Sequence, residues 1–399
     1  VYKRQIYNSA VISNTAEECD GCNNRATGTI SIKDDNTSSE IYGMYNSSEN
    51  NIYNSFSFGT GQGATKNGSD GSIIITKSET SSGNIIGMQG GKNLYNAYAN
   101  TSDGVNTNVR AVGKINITHN GYGDVIGIRG TNSAGKINNA LAYLNSAVSD
   151  AVAEGSIVLS GKGNVYGIYG NGTIANSETQ FNKNYNMLKD FSSHGVIDVT
   201  TRSDTAAAYG IYAAGAKDTK TSVYNAMGYN STGDIKVRNT SGGSAFGIYS
   251  AAQTYTGDDD VVYYNNTYNA FRSSAIYGDS VATGNIDMTI EGYSSLGQQV
   301  AGIYAAGNAF NSYANSGSDV MLETIGNITI NDKSETGNMN LRGIESNGAT
   351  IANAYSTGQN QNTATKVTGN INVNILATKN GLSTASGIFS DSINPQGTK

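Results

Sequence analysis

The chain has 399 residues and a net charge of −6, and it contains 50 Gly, 26 Tyr and only one Pro. Gly is well above and Pro far below their usual shares of about 7% and 5%, and the absence of Gly at every third position excludes collagen. The net negative charge disfavours a nucleic-acid partner, because phosphate binding needs clustered Lys and Arg. No membrane-spanning segment is predicted, because the longest nearly apolar run, residues 206–216, falls short of the roughly 20 residues required.

The first chemical feature along the chain is a Cys-x-x-Cys pair, Cys19 and Cys22. A zinc site needs a second such pair, and a thioredoxin-like motif needs a βαβ context, and the sequence has neither. We predict a disulfide that closes a small loop in an oxidising compartment, with two free thiols as the alternative.

A short strand pattern, Gly-x-aliphatic-x-aliphatic, follows the cysteine pair and recurs along the chain. In its first copy Ile30 and Ile32 flank the polar Ser31, which is the alternation expected of a strand with one buried face. The glycines of this pattern are Gly28, Gly71, Gly113, Gly155, Gly195, Gly233, Gly284, Gly326 and Gly369.

A second strand is predicted where Gly precedes an aliphatic residue, often with an aromatic residue two positions after the Gly. Glycine inside a strand marks a bulge, a bend or a close backbone approach, and the recurring Tyr is predicted to stack between units. The glycines of this pattern are Gly43, Gly87, Gly127, Gly167, Gly210, Gly247, Gly302, Gly343 and Gly387.

A third pattern, Asn followed by Ala or Ser, predicts the third strand of each unit. We predict that these asparagines sit at tight corners, where Asn tolerates the left-handed backbone, and pass amide hydrogen bonds from unit to unit as a ladder. The ladder positions are Asn8, Asn54, Asn96, Asn139, Asn176, Asn225, Asn269, Asn311 and Asn353.

The three patterns keep one order and share one spacing, so the chain is an internal repeat. A unit of three short strands cannot close a core alone, but stacked units can, with like strands pairing in parallel. We predict an all-β fold, a parallel β-helix of about nine three-strand coils with a period of about 43 residues, as one solenoid over residues 1–399. A β-propeller has a similar period but needs four strands per blade, and only three are found.

Repeated short strands, an Asn ladder and near absence of Pro, Cys and Trp together resemble the passenger regions of autotransporters. Those regions are right-handed parallel β-helices on Gram-negative cell surfaces. The resemblance implies an extracellular location and a role as an adhesin or rigid spacer. It also implies a host or neighbouring-cell surface protein or glycan as partner, and export through an outer-membrane β-barrel that we expect outside residues 1–399.

Both ends of the chain are predicted to cut through a unit. The first residue is Val1, residues 6–8 are interpreted as part of a third strand, and the last strand is the one that contains Gly387. We therefore expect a fragment of a longer surface protein. Because unpaired strand edges template further pairing, we also expect end-to-end self-association, or fraying of the terminal units as the alternative.

No catalytic, cofactor or metal site is predicted. His119 and His194 have no partner at a known catalytic spacing, which favours solvated or capping roles. The acidic run Asp258, Asp259 and Asp260 is interpreted as a solvated loop tip, with a Ca²⁺ site or carboxylates for polysaccharide cleavage as alternatives.

The resulting functional prediction is a non-enzymatic surface solenoid. The alternative is a polysaccharide-degrading β-helix similar to pectinases and phage tailspikes. That alternative requires carboxylates clustered on one face of adjacent coils.

Overall fold

A computed structural model describes the greater part of the chain. The described residues are 3–7, 12–19, 24–35, 38–47, 50–60, 65–78, 81–102, 104, 106–131, 135–146, 149–181, 190–214, 222–251, 253–254, 262–263, 266–273, 281–294, 297–316, 322–348, 350–358, 365–377 and 381–390. No helix that could span a membrane occurs in these ranges.

Successive β-strands wind into coils of three. Over the described residues nine coils are complete, and β30 begins a tenth. In chain order the strands are β1 (Lys3–Tyr7), β2 (Ile12–Cys19), β3 (Arg25–Asp34), β4 (Ile41–Tyr45), β5 (Ile52–Gly59), β6 (Thr65–Lys77), β7 (Ile85–Gly90), β8 (Leu94–Thr101), β9 (Thr107–His119), β10 (Val125–Gly130), β11 (Lys136–Leu144), β12 (Asp150–Gly161), β13 (Val165–Gly170), β14 (Thr173–Phe181), β15 (Phe191–Thr201), β16 (Ala208–Ala213), β17 (Ser222–Met227), β18 (Ser231–Asn239), β19 (Ala245–Ser250), β20 (Gln253–Thr254), β21 (Val262–Tyr263), β22 (Asn266–Ser273), β23 (Val281–Gly292), β24 (Gln298–Ala305), β25 (Ala309–Ser316), β26 (Glu323–Ser334), β27 (Met339–Ser346), β28 (Ile351–Gly358), β29 (Lys366–Ile375) and β30 (Thr384–Ser390).

Three parallel sheets run along the stack, each with one strand from every coil. Sheet 1 contains β1, β4, β7, β10, β13, β16, β19, β24, β27 and β30; sheet 2 contains β2, β5, β8, β11, β14, β17, β22, β25 and β28; and sheet 3 contains β3, β6, β9, β12, β15, β18, β23, β26 and β29. In the longest unit an antiparallel pair, β20 with β21, is inserted between sheets 1 and 2. This topology confirms the predicted parallel β-helix and excludes the propeller.

The isoleucines of the first sequence pattern form one continuous column in sheet 3. Ile30 pairs in register with Ile73 and Ile73 with Ile115, and the column runs on in the same way as far as Ile371. The side chains are buried in the middle of the stack, where Ile197 has no exposed area. The predicted inward face of the first pattern is therefore confirmed.

The interpretation of residues 6–8 as part of a third strand is wrong for Ile6 and Tyr7, the two of these residues that the structure describes. Strand β1 pairs with β4 in sheet 1, where Ile6 lies opposite Met44, so this strand is the equivalent of the second pattern. Gln5 stands at the position that Gly43 occupies in the next coil, so the glycine that marks this pattern is missing from the first copy.

Both recurring glycines are required by close approach to other atoms. A Cβ on Gly113 would lie 2.0 Å from the carbonyl oxygen of Asn96, and one on Gly127 would lie 2.6 Å from Cγ2 of Ile157. Real Cβ atoms do not come so near, and neither glycine has a positive φ angle. Gly113 leaves room for the backbone at the asparagine corner, and Gly127 leaves room for a side chain from sheet 3. Both are the close approaches predicted for a glycine inside a strand.

The interior is divided into two packed compartments, which the sequence analysis did not predict. The larger is filled by aliphatic side chains from all three sheets, such as Met88, Leu94 and Ile115. The smaller lies between the second halves of sheet 2 strands and the first halves of sheet 3 strands, where small residues such as Ala97 and Ala111 meet. Alanines fill this compartment in the third and fourth coils, and the larger Phe191 and Tyr229 fill it in the next two.

Candidate functional site: a groove across five corner loops

The asparagine ladder is present and lies between the two interior compartments. The amide nitrogen of Asn176 donates to Oδ1 of Asn225 at 2.9 Å and to the carbonyl oxygen of Gly195 at 2.8 Å. Equivalent amide-to-amide bonds of 2.8–2.9 Å link Asn14, Asn54, Asn96, Asn139, Asn176, Asn225, Asn269, Asn311 and Asn353. The asparagines from Asn54 to Asn311 are fully buried, so the ladder satisfies polar groups inside the stack.

The first rung and the backbone conformation differ from the sequence analysis. Asn8 lies outside the described residues, and the rung predicted for it is held by Asn14, because Ile12 pairs with Ile52 and thereby places Asn14 opposite Asn54. None of the ladder asparagines in the described ranges has a positive φ angle, so the predicted left-handed corners are wrong. The chain instead turns where the alternation of side chains is interrupted, because the ladder Asn and the small residue after it both face inward.

Two other predicted features fall where the structure gives no description. The Cys22 residue and the side chain of Cys19 are not described, so the disulfide stays a prediction. The acidic run Asp258–Asp260 also lies outside the described residues.

The two histidines have different environments. His119 is fully buried at the end of β9, where Nδ1 accepts the Gly121 N–H at 3.0 Å and Nε2 lies 3.1 Å from the Gly83 carbonyl oxygen. Burial, together with the nearby Lys77 ammonium, lowers the pKa of His119 to about 4. The residue caps its corner, as predicted, but it is not solvated.

His194 has a partner that sequence spacing did not reveal. Its Nε2 lies 2.8 Å from Oδ2 of Asp234, which belongs to the next coil. This hydrogen bond raises the pKa of His194 and lowers that of Asp234. Both side chains lie on the outer face of sheet 3.

Aromatic side chains form stacked columns on the outer face of sheet 1. Tyr169, Tyr212, Tyr249 and Tyr304 stack with ring centroids 4.7–5.1 Å apart and planes within 7° of parallel. A second column beside it continues from Tyr166 through Tyr209 to Phe246, edge-on to the first. The predicted stacking of the recurring Tyr is therefore confirmed over these coils, and the columns face outward.

A groove crosses the corners between sheets 3 and 1 over five successive coils. Its volume is about 780 Å³, and Tyr122 and Tyr293 stand in its first and last corners. Charged side chains between them are Asp124, Lys162, Arg202 and Asp204.

The corners beneath the groove are fixed by another polar column. The side chain of Asn84 accepts the backbone N–H of Asp124 at 2.9 Å, and Asp124 accepts that of Asn164 at 3.0 Å. Asn164 in turn accepts the N–H of Ala207 at 3.0 Å. Asp124 stands where the neighbouring coils have Asn84 and Asn164, and its Oδ1 makes the same bond to the next corner that those amide oxygens make. This carboxylate oxygen therefore has a structural role.

Arg202 bridges two corners from the rim of the groove. Its Nη2 donates to the carbonyl oxygen of His119 at 3.2 Å and to Oδ1 of Asn120 at 3.0 Å. No described carboxylate forms an ion pair with Arg202, although its side chain is exposed to the groove. The guanidinium is therefore held in place with Nε and Nη1 still available as donors.

The groove and its residues were not found from the sequence. Tyr122, Lys162, Arg202 and Tyr293 occupy the same corner in different coils, directly after the sheet 3 strand, but they do not repeat in type. An alignment of the units on their Ile columns would have collected these residues at one corner. Within the described ranges no group of three or more His, Cys, Asp or Glu side chains could hold a metal ion.

Comparison with known protein families, with characterised proteins and with solved structures gives no match to this chain.

Proposed function

We propose that this chain is a non-enzymatic, extracellular β-solenoid that acts as an adhesin or a rigid spacer on the surface of a Gram-negative bacterium. The observation that carries the proposal is the unbroken asparagine ladder from Asn14 to Asn353. Backbone pairing and this ladder connect every coil to the next, so the stack has no hinge over the described coils. At about 4.8 Å per coil, nine coils make a stiff body on the order of 40 Å long.

The outer surface supports a role in contact with other molecules. Partly exposed aromatic columns such as Tyr169–Tyr304 present a flat face, and tyrosine gives large contact area at low entropic cost. We propose a surface protein or glycan of a host or neighbouring cell as the partner, and no cofactor. The resemblance to autotransporter passengers supports the location.

End-to-end self-association of the chain belongs to the same proposal. Ile371 and Val373 in the ninth coil are only partly buried, and Ile388 in β30 is 45% exposed. Sedimentation at several concentrations tests this, and a strictly monomeric chain would contradict it.

The location is tested by labelling intact cells of the bacterium that encodes the chain with an antiserum raised against residues 1–399. The proposal expects labelling before permeabilisation, loss of the signal after mild external proteolysis, and weaker cell attachment when the gene is deleted. Labelling that requires permeabilisation would contradict it.

Polysaccharide degradation is the second candidate, and one observation favours it: Asp124, Asp204 and Arg202 line one groove. Two carboxylates are the usual requirement for glycoside hydrolysis. Against it, Oδ1 of Asp124 accepts both the backbone N–H and the side-chain amide of Asn164. Release of reducing ends from polygalacturonate, abolished by Asp204→Asn, would establish this candidate and refute the non-enzymatic proposal.

A further inference from the structure

The corner groove has the dimensions of a site for an extended ligand. Tyr122 and Tyr293 stand four coils apart, which corresponds to about 19 Å at the spacing of paired strands. Its volume of about 780 Å³ lies within the range typical of ligand pockets. A single small ion would leave most of this space empty.

Arg202 supplies the anchor for a negative charge. Its Nη2 is occupied by the His119 carbonyl and Asn120, which orients the guanidinium before any ligand arrives. The Nε and Nη1 groups point in different directions, and each can donate a single hydrogen bond to a carboxylate oxygen of a ligand. No described carboxylate lies within ion-pair distance of Arg202, although Asp124 and Asp204 line the same groove.

Tyr122 and Tyr293 are the most exposed tyrosines in the described ranges, at 75% and 65% of their area. Neither belongs to the two stacked columns on sheet 1. The Lys162 ammonium lies 5.5 Å from the centre of the Tyr122 ring. Amphipathic rings of this kind offer an apolar face and a hydroxyl to a ligand that is itself partly apolar and partly polar.

The lining between the tyrosines is polar and shallow. Ser203, Thr205 and Ser241 contribute hydroxyl groups, and Gly163 contributes bare backbone. Hydroxyls both donate and accept hydrogen bonds, as the hydroxyls of a sugar do. A peptide ligand would be expected to find apolar side-chain pockets, and this lining provides none.

From these observations we infer that the groove binds an oligosaccharide that carries a carboxylate, with Arg202 receiving the carboxylate and Tyr122 and Tyr293 contacting sugar rings. The inference rests on the proposed adhesive function and deepens it, because it names the class of partner and the residues that recognise it.

Titration calorimetry on the 399-residue chain tests the ligand class. The probes are a hexasaccharide of galacturonic acid, its fully methyl-esterified counterpart, a sialylated oligosaccharide and hexaglutamate. We expect the galacturonic acid hexasaccharide, the sialylated oligosaccharide or both to bind. Comparison of these two probes identifies which kind of acidic sugar the groove recognises. Absence of binding by both, equal binding of the esterified sugar, or tighter binding of hexaglutamate would each overturn the inference.

Variants test the site. Arg202→Lys keeps the positive charge, but one ammonium cannot hold the His119 and Asn120 contacts and also reach the ligand, so binding should weaken about tenfold or more. The double variant Tyr122→Ala with Tyr293→Ala should weaken it by about the same factor. The matched control is Arg110→Lys, because Arg110 is an exposed arginine outside the groove, paired with Glu154 at 2.7 Å. Thermal unfolding of each variant is measured alongside, and a cooperative transition near that of the parent chain shows that the stack is intact.

The outcomes separate the site from the function. Binding that all groove variants retain would overturn this site while leaving an adhesive role intact. Binding followed by release of reducing ends would refute the non-enzymatic proposal, and the location is judged by cell labelling alone.

Discussion

The Asn176→Ala variant removes one rung from the middle of the asparagine ladder. Asn176 donates to Asn225 Oδ1 and to the Gly195 carbonyl, and it accepts from the amide of Asn139. Its side chain is fully buried, so water cannot replace these partners without entering the stack.

The cost follows from the groups that are left without partners. Asn139 keeps two other acceptors, the carbonyl oxygens of Gly155 and Val196, each at 3.0 Å. Asn225 Oδ1 loses the donor from the preceding coil, and the Gly195 oxygen loses a second bond. Only the Asn225 oxygen is left without a partner, and a buried unsatisfied group costs about 1–3 kcal/mol, so the variant should lose about 1–3 kcal/mol of local stability.

Amide hydrogen exchange resolved by coil is the suitable assay, because a repeat array need not unfold in one step. The expected result is faster exchange in the coils on both sides of residue 176. The end rung gives the comparison: Asn353 is only partly buried, and Asn353→Ala should cost about 1 kcal/mol. The outward Asn372→Ala is the control and should change nothing.

Equal effects of Asn176→Ala and Asn372→Ala would refute the reasoning, because the ladder would then contribute no more than an exposed amide.

Other changes separate inward from outward positions and one histidine from the other. Ile197→Asp places an unpaired charge in the fully buried column and should lower the free energy of unfolding by about 4 kcal/mol or more. The outward Asp198→Ala should change it by no more than about 0.5 kcal/mol, as measured by thermal unfolding. Similar losses in the two variants would contradict the assignment of inward and outward positions. The pKa of His119 is lowered to about 4, so its contribution to stability is fully present above the unfolded pKa of about 6.5 and is lost as pH falls from there towards 4. Amide hydrogen exchange in its corner should therefore accelerate over that pH range. The His119→Gln variant should remove this pH dependence. The pKa of His194 is raised, so its contribution is present below about 6.5 and is lost as pH rises through the folded pKa. A loss of local stability as pH falls from 6.5 towards about 5, where the Asp234 carboxylate is still ionised, would contradict the pair.

The fold was predictable because the residues that repeat along the sequence are those that face the interior of the stack. The Ile30 column and the paired glycines recur with one spacing, since each coil must present the same shape to the next. A repeated burial requirement therefore appears directly as a repeated sequence.

The first ladder position was assigned wrongly because the motif that marks it is only two residues long. Asn8 is followed by Ser and matches the ladder pattern, but Asn14 is in register, since Ile12 is the residue equivalent to Ile52. Asn14 is followed by Thr15, which the two-residue motif does not include, so only strand pairing identifies the rung.

The groove was not predictable in the same way. Its residues lie in corner loops, where each coil carries a different side chain, so periodicity contains no signal for them. The contact of Arg202 with the His119 carbonyl spans two coils and exists only once the stack is formed.

The central claim is that one coil is the structural unit of the chain, and two deletions test it. Removal of residues 125–164 takes out one whole coil and joins Asp124 to Val165, which pairs in register with Val125. Removal of residues 125–144 takes out only β10 and β11 and leaves β12 without the other strands of its coil. Thermal unfolding followed by circular dichroism is the measurement. The account predicts that the whole-coil deletion keeps the β-sheet signal and a melting temperature close to that of the parent chain, while the half-coil deletion loses both. Similar melting of the two variants would contradict it.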